Sequence, residues 1–156
     1  MEYRRKPVIT EAMKTTRVVV YDYSNKTMQG SFYNLYYGQE VMFSSLMEFL
    51  LQMETLMDEM QCPQATTETR LAYKTKGWYE ATKNCVFTKK AAPVMMQFCI
   101  RVIFRKNSSW QGTITWGKDK REKSFRSTLE LVKLMDNILT RQQMNAASSD
   151  LAVEVV

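Results

Sequence analysis

The chain has 156 residues, 45% hydrophobic and 24% charged, with 22 basic and 16 acidic side chains and a formal net charge of +6. This composition is that of an ordinary globular domain, and no apolar run approaches the ~18 residues that a membrane-spanning helix requires. Histidine is absent, which removes Ser-His-Asp and Cys-His nucleophilic systems and the usual general base near neutral pH.

The opening residues, Met1 to Pro7, lack the apolar core of a secretory signal, and the first ten residues are expected to be loose. Arg17–Tyr23 is β-branched and aromatic and reads as a strand. Ser24-Asn25-Lys26-Thr27 reads as a turn and Met28–Tyr36 as a second strand. Tyr37-Gly38-Gln39-Glu40 breaks that strand, and Val41–Phe43 makes a brief third one. Ser45-Leu46-Met47-Glu48 is an S-x-x-E capping box. Leu46, Phe49, Leu50, Met53, Leu56, Met57 and Met60 follow it at helical spacing, as an amphipathic helix facing a core requires.

Pro63 stops this helix. Residues 61–96 form a basic connecting segment with short strands expected at Arg70–Tyr73 and Cys85–Phe87. The order then starts again. Gln97–Lys106 is a strand, Asn107-Ser108-Ser109 a turn and Trp110–Trp116 a strand; Gly117–Glu122 is a second turn and Lys123–Phe125 a short strand. Ser127-Thr128-Leu129-Glu130 is a second capping box, followed by Leu131, Val132, Met135, Ile138 and Leu139. The tail from about Asn145 is rich in Ala and Ser and is expected to be disordered, with Leu151–Val156 able to add a strand to a neighbour.

Residues 17–59 in fact recur, without a gap, as residues 99–141. At an offset of 82, Asn25 falls on Asn107, Gln29 on Gln111, Gly30 on Gly112, Phe43 on Phe125, Ser45 on Ser127, Glu48 on Glu130 and Met53 on Met135. A match that keeps both turn and cap residues indicates a duplicated unit. The expected fold is α+β: an internal duplication of a β-β-β-α unit, with antiparallel sheet or sheets, two amphipathic helices on one face and a pseudo-twofold. Residues 1–156 make one domain, with repeat units at 17–60 and 97–143 and a tail at 144–156.

Cys62, Cys85 and Cys99 are an odd set with no C-x-x-C spacing, so neither a disulfide framework nor a zinc site is indicated. They read as small hydrophobes of a protein from a reducing, cytoplasmic compartment. The sequons at Asn25 and Asn107 are explained as turn residues. No Gly-rich phosphate loop or carboxylate pair marks a catalytic centre, and Glu48 and Glu130 are explained as caps. No cofactor and no metal are expected, and the chain reads as a non-enzyme.

Strand alternation puts Val18, Val20, Ile100, Val102, Phe104, Met28, Phe32, Trp110, Ile114 and Trp116 under the helices. It leaves a polar and aromatic face of Tyr21, Tyr23, Tyr33, Gln29, Arg101, Arg105, Gln111, Thr113 and Thr115. Lys106, Lys118, Lys120, Arg121, Lys123 and Arg126 would extend it as a basic strip. Charged loops are usually no more than solvated. The binding set is Tyr21, Tyr23, Tyr33, Arg101, Arg105, Gln111, Thr113, Thr115, Lys118, Lys120 and Arg121. Tyr and Arg enrichment suits a protein interface, and equally a surface that stacks bases and contacts phosphates.

Charge is unevenly placed. Residues 17–61 hold two basic and six acidic side chains, a net of −4. Residues 62–156 hold sixteen and eight, a net of +8. The first reading is therefore a small binding protein of adaptor or inhibitor type, directed at a protein, nucleoprotein or acidic partner. Direct nucleic-acid binding is the alternative, and a structural homodimer the third. No membrane association is expected.

Trp110-Gln111-Gly112-Thr113-Ile114-Thr115-Trp116 followed by Phe125-Arg126-Ser127-Thr128-Leu129-Glu130-Leu131 resembles a pattern of small uncharacterised proteins of Gram-positive bacteria. The resemblance covers about thirty residues of the second repeat. It implies a bacterial or mobile-element origin and no activity. The first repeat departs from it, with Met28 and Asn34 at the two tryptophan positions.

Overall fold

The computed structural model describes residues 8–73 and 93–153, with side chains to residue 148. A 3-10 turn at Glu11–Lys14 leads into β1 (Thr15–Asp22), β2 (Gln29–Asn34), β3 (Gln39–Phe43) and α1 (Leu46–Met60). After the connecting segment come β4 (Met96–Phe104), β5 (Gln111–Trp116), β6 (Arg121–Phe125) and α2 (Thr128–Val153). The fold is α+β. All six strands form one sheet in the order β3-β2-β1-β4-β5-β6, every neighbouring pair antiparallel.

The pairing register has a simple numerical property. Arg17↔Tyr33, Val18↔Phe32, Val19↔Ser31 and Val20↔Gly30 join β1 to β2. Each becomes a β4–β5 pair when 82 is added: Cys99↔Thr115, Ile100↔Ile114, Arg101↔Thr113 and Val102↔Gly112. The β2–β3 and β5–β6 ladders obey the same offset. At the centre of the sheet, Arg17 of β1 pairs with Cys99 of β4. Each of these strands carries one register shift, between Val20 and Asp22 and between Val102 and Phe104.

Gly30 and Gly112 face those irregularities. A Cβ on Gly30 would lie 2.0 Å from the Val19 carbonyl oxygen, and one on Gly112 would lie 1.9 Å from that of Arg101. Only glycine permits backbones to approach this closely. The hairpin turns use left-handed pairs, Asn25 with Lys26 (φ 56° and 60°) and Asn107 with Ser108 (φ 57° and 55°). This backbone matches strand twist in tight hairpins and favours Asn. The two Asn residues thus have a structural role in the turns.

The even-numbered positions of the central strands, Val18, Val20, Phe32, Phe98, Ile100 and Ile114, are buried with Phe49, Met53 and Leu56 of α1 and Leu131, Met135 and Leu139 of α2. Both helices therefore cover the same face of the sheet. Phe49 meets Phe32 edge-on at 6.0 Å and Phe43 at 5.1 Å, fixing the start of α1 above β2 and β3. The caps form in part as expected. Ser45 Oγ accepts from the Glu48 N–H at 3.2 Å and Ser127 Oγ from the Glu130 N–H at 3.0 Å. The glutamates bind one residue earlier than a capping box requires: Glu48 accepts from the Ser44 hydroxyl, and Glu130 from the Arg126 N–H and guanidinium.

Several expectations are corrected. The tail is helical as far as Val153 instead of disordered or extended. Arg70–Tyr73 forms no strand, and Cys85–Phe87 lies outside the described residues. β3 and β6 begin earlier than expected, at Gln39 and Arg121, because Gly38 (φ 66°) and Gly117 (φ 78°) confine the break to a tight turn.

Candidate functional site

The open face of the sheet has a centre and two ends. Tyr21 lies at one end of the face, and Ile103 and Phe104 at the other. Arg17, Tyr33, Cys99 and Thr115 lie between them. Tyr21 shares a 3.3 Å hydrogen bond with the Ser31 hydroxyl. Arg17 stacks over Tyr33 at 5.2 Å and approaches Glu40 at 3.7 Å. Arg101 donates to Glu11 at 3.1 Å, and this exposed pair helps hold the Glu11 carboxyl below its usual range, after the larger effect of Lys14. Both arginines of the face thus already have a carboxylate partner.

The two bulges alter the side-chain pattern that strict alternation predicts. A bulge inserts one extra residue, so every later position changes face. Tyr23 and Arg105 consequently turn under the helices, at 8% and 4% exposure. Both were expected on the open face and are corrected here. Phe104, expected in the core, instead stands on the open face opposite Gln111, at 51% exposure beside Ile103 at 44%. Lys106 covers the Phe104 ring at 4.6 Å.

Tyr23 and Arg105 are 82 residues apart and make matching contacts. Tyr23 donates to Asp136 of α2 at 2.6 Å. Arg105 donates to Glu54 of α1, which is 82 residues before Asp136, at 3.1 Å, and to Asp58 at 2.6 Å. Each helix therefore holds the strand end that belongs to the other half of the chain. Burial, then the Asp136 carboxylate, pushes the Tyr23 phenol up to about 12. Lys26, at 2.7 Å, and Tyr23 hold the Asp136 carboxyl below its usual range. Trp110, buried as expected, directs its indole N–H to the second oxygen of Glu54.

The remaining expected residues divide between two places. Gln111 is engaged with the backbone of Lys106, donating to its carbonyl and accepting from its N–H, both at 2.9 Å. Thr113 and Thr115 line the half-buried middle of β5 on the open face. Lys118 and Arg121 do not lie on this face. They border a pocket on the helix side, between the β5–β6 turn and α2. Lys120 is exposed in that turn at φ 49°. Of the open-face residues absent from the expected set, Arg17 was readable from its pairing with the Tyr33 strand. Phe104 was not, because alternation alone places it inside.

Among the described residues no group of three or more Cys, Asp or Glu side chains is placed to hold a metal ion, and no helix is long and apolar enough to cross a membrane. No protein-family model matches the chain, and no curated protein or solved structure matches it.

Proposed function

We propose that this chain is a non-enzymatic binding module that takes a protein partner on its open sheet face. We also infer that it arose by duplication of a β-β-β-α unit, its halves related by a pseudo-twofold through the Arg17↔Cys99 pair. The 82-residue offset of every ladder, both bulges and the Tyr23/Arg105 contacts supports the duplication. The observation that carries the binding reading is the exposed Ile103–Phe104 pair on a rigid sheet whose arginines are already ion-paired. A phosphate-tracking surface needs cations free to replace counterions. Arg17 and Arg101 would first have to leave Glu40 and Glu11, and Arg105 is buried. Aromatic and aliphatic side chains on a fixed frame instead provide the anchors typical of protein interfaces.

The test is capture of a partner from the native cell by wild type and by Phe104→Asp, with sedimentation of each protein alone. The expected result is a discrete captured protein, lost on Phe104→Asp with the melting temperature unchanged, and a monomer in isolation. Sedimentation at twice the monomer mass, reversed by Phe104→Asp, would replace the reading with self-association. Single-stranded RNA or DNA binding that survives physiological salt and requires Arg101 would replace it with the nucleic-acid alternative.

A further inference from the structure

The pocket on the helix side has a volume of about 240 Å³ and lies between the β5–β6 turn and the second half of α2. Three cations line it: Lys118 and Arg121 from the hairpin, and Arg141 from the helix. Elsewhere Arg17, Arg101, Arg105 and Arg126 each have a carboxylate within 4.0 Å. Among the described residues, Lys118, Arg121 and Arg141 have none. Asp119 is the one acid in the lining, so the pocket has a surplus of two positive charges.

The positions 82 residues earlier show what is particular to this end. Tyr36 and Tyr37 stand at the places of Lys118 and Asp119, and Glu59 at that of Arg141. Both tyrosines pack against the core with ring centroids 5.9 Å apart. Burial raises the Tyr37 phenol, and Glu59, hydrogen-bonded to it, raises it further. The first half of the chain thus fills this space with two aromatic rings and an acid. The second half replaces the two rings with a lysine and an aspartate and reverses the sign on the helix.

The ligand follows from the chemistry of the lining. Two guanidinium groups and an ammonium suit the three oxygens of a phosphate monoester, whose charge of about −1.5 to −2 at neutral pH matches the surplus. The half-buried indole of Trp116 forms an apolar wall suited to a flat ring. Asn137 and Gln142 supply side-chain amides that can both donate to and accept from a base edge. We propose that this pocket binds a nucleotide, its phosphate held by Arg121, Arg141 and Lys118 and its base against Trp116. The site is remote from the open sheet face and independent of the partner proposed there. The nucleotide is either free or at the end of a strand, and titration separates the two.

The test is calorimetric titration of the full chain with AMP, adenosine, inorganic phosphate and a 5′-phosphorylated oligonucleotide at physiological salt. AMP is expected to bind with Kd below about 1 mM and about tenfold more tightly than phosphate or adenosine. Arg121→Ala and Arg141→Ala should each weaken it by about tenfold. Lys133→Ala, an exposed cation of the same helix outside the pocket, should leave it unchanged. The arginine side chains are exposed, so these variants keep the fold, which circular dichroism verifies. Tighter binding of the oligonucleotide with the same arginine dependence supports the site and identifies a strand end as the source. No saturation by AMP, phosphate binding as tight as AMP, or equal loss in Lys133→Ala overturns the proposal.

Discussion

Replacing Arg105 by methionine separates the observed placement of this side chain from the one alternation predicts. Methionine keeps an apolar stem for packing and removes only the guanidinium. That group donates from Nε to the Pro63 carbonyl at 2.7 Å and from Nη1 to Glu54 and Asp58. Loss of the carbonyl bond costs about 1 kcal/mol. The two charged bonds would each be worth about 1.5–3 kcal/mol if fully buried. The Glu54 and Asp58 side chains are 39% and 66% exposed, however, so water solvates them once the guanidinium is gone. Screening reduces each contribution to about 1 kcal/mol. The sum is about 3 kcal/mol, or a fall of about 6–12 °C in Tm for a domain of this size. Urea unfolding should show a lower midpoint at unchanged m-value. A cycle with Glu54→Gln should give coupling of at least about 0.5 kcal/mol. An Arg105→Met variant within about 0.5 kcal/mol of wild type would refute the reasoning, most plainly if it lost binding while keeping its stability.

Gly30→Ala or Gly112→Ala should each destabilise by at least about 2 kcal/mol, because the new methyl meets backbone oxygen and no side chain can yield; a thermal melt within a degree or two of wild type would contradict the close approach. Tyr23→Phe should flatten the alkaline limb of the stability curve. The folded phenol ionises near 12 against 10.0 when free, so its contribution is complete below pH 10 and lost as pH rises through the folded value. Wild type should lose about 2–3 kcal/mol over that range in excess of Tyr23→Phe, measured by urea titration at successive pH values. Equal alkaline losses in both proteins would remove the Tyr23–Asp136 contact from the account.

The elements were legible because their signals are local. Ser45 and Ser127 mark helix starts through one hydroxyl and one N–H. Asn25 and Asn107 mark turns because they tolerate the left-handed region. What alternation misses is a bulge, which is a property of a strand pair. Nothing in Val20-Tyr21-Asp22 or Val102-Ile103-Phe104 announces an extra residue, and yet it decides the fate of three side chains. Tyr23 and Arg105 move inside and Phe104 moves out. The glycines opposite, Gly30 and Gly112, were the available signal, since glycine within a strand often marks a bulge or a close backbone approach. The division of Lys118 and Arg121 from the open face was illegible for another reason. It depends on β6 beginning at Arg121, opposite Trp116, in a stretch that reads as a turn from sequence.

The charge polarity of the sequence acquires a different meaning in the structure. A net of −4 over residues 17–61 suggests an acidic surface meeting a basic second half. Most of those acids are instead engaged within the fold: Glu40 with Arg17, Glu48 at the start of α1, Glu54 and Asp58 with Arg105, and Glu59 with Tyr37. Two of them neutralise a cation from the second half of the chain, so part of the polarity is an intramolecular attraction that holds α1 against the end of β4. Among the described residues, three cations with no such counterpart, Lys118, Arg121 and Arg141, meet in one pocket. A cleft lined by a surplus of one sign of charge attracts the opposite ion locally. Reversing Glu40 to lysine should disturb Arg17 locally, whereas reversing Arg141 to glutamate should weaken phosphate-ester binding in the pocket. That contrast is measurable as the salt dependence of phosphate-ester binding in the two variants, and equal effects would return the polarity to a generic property of the chain.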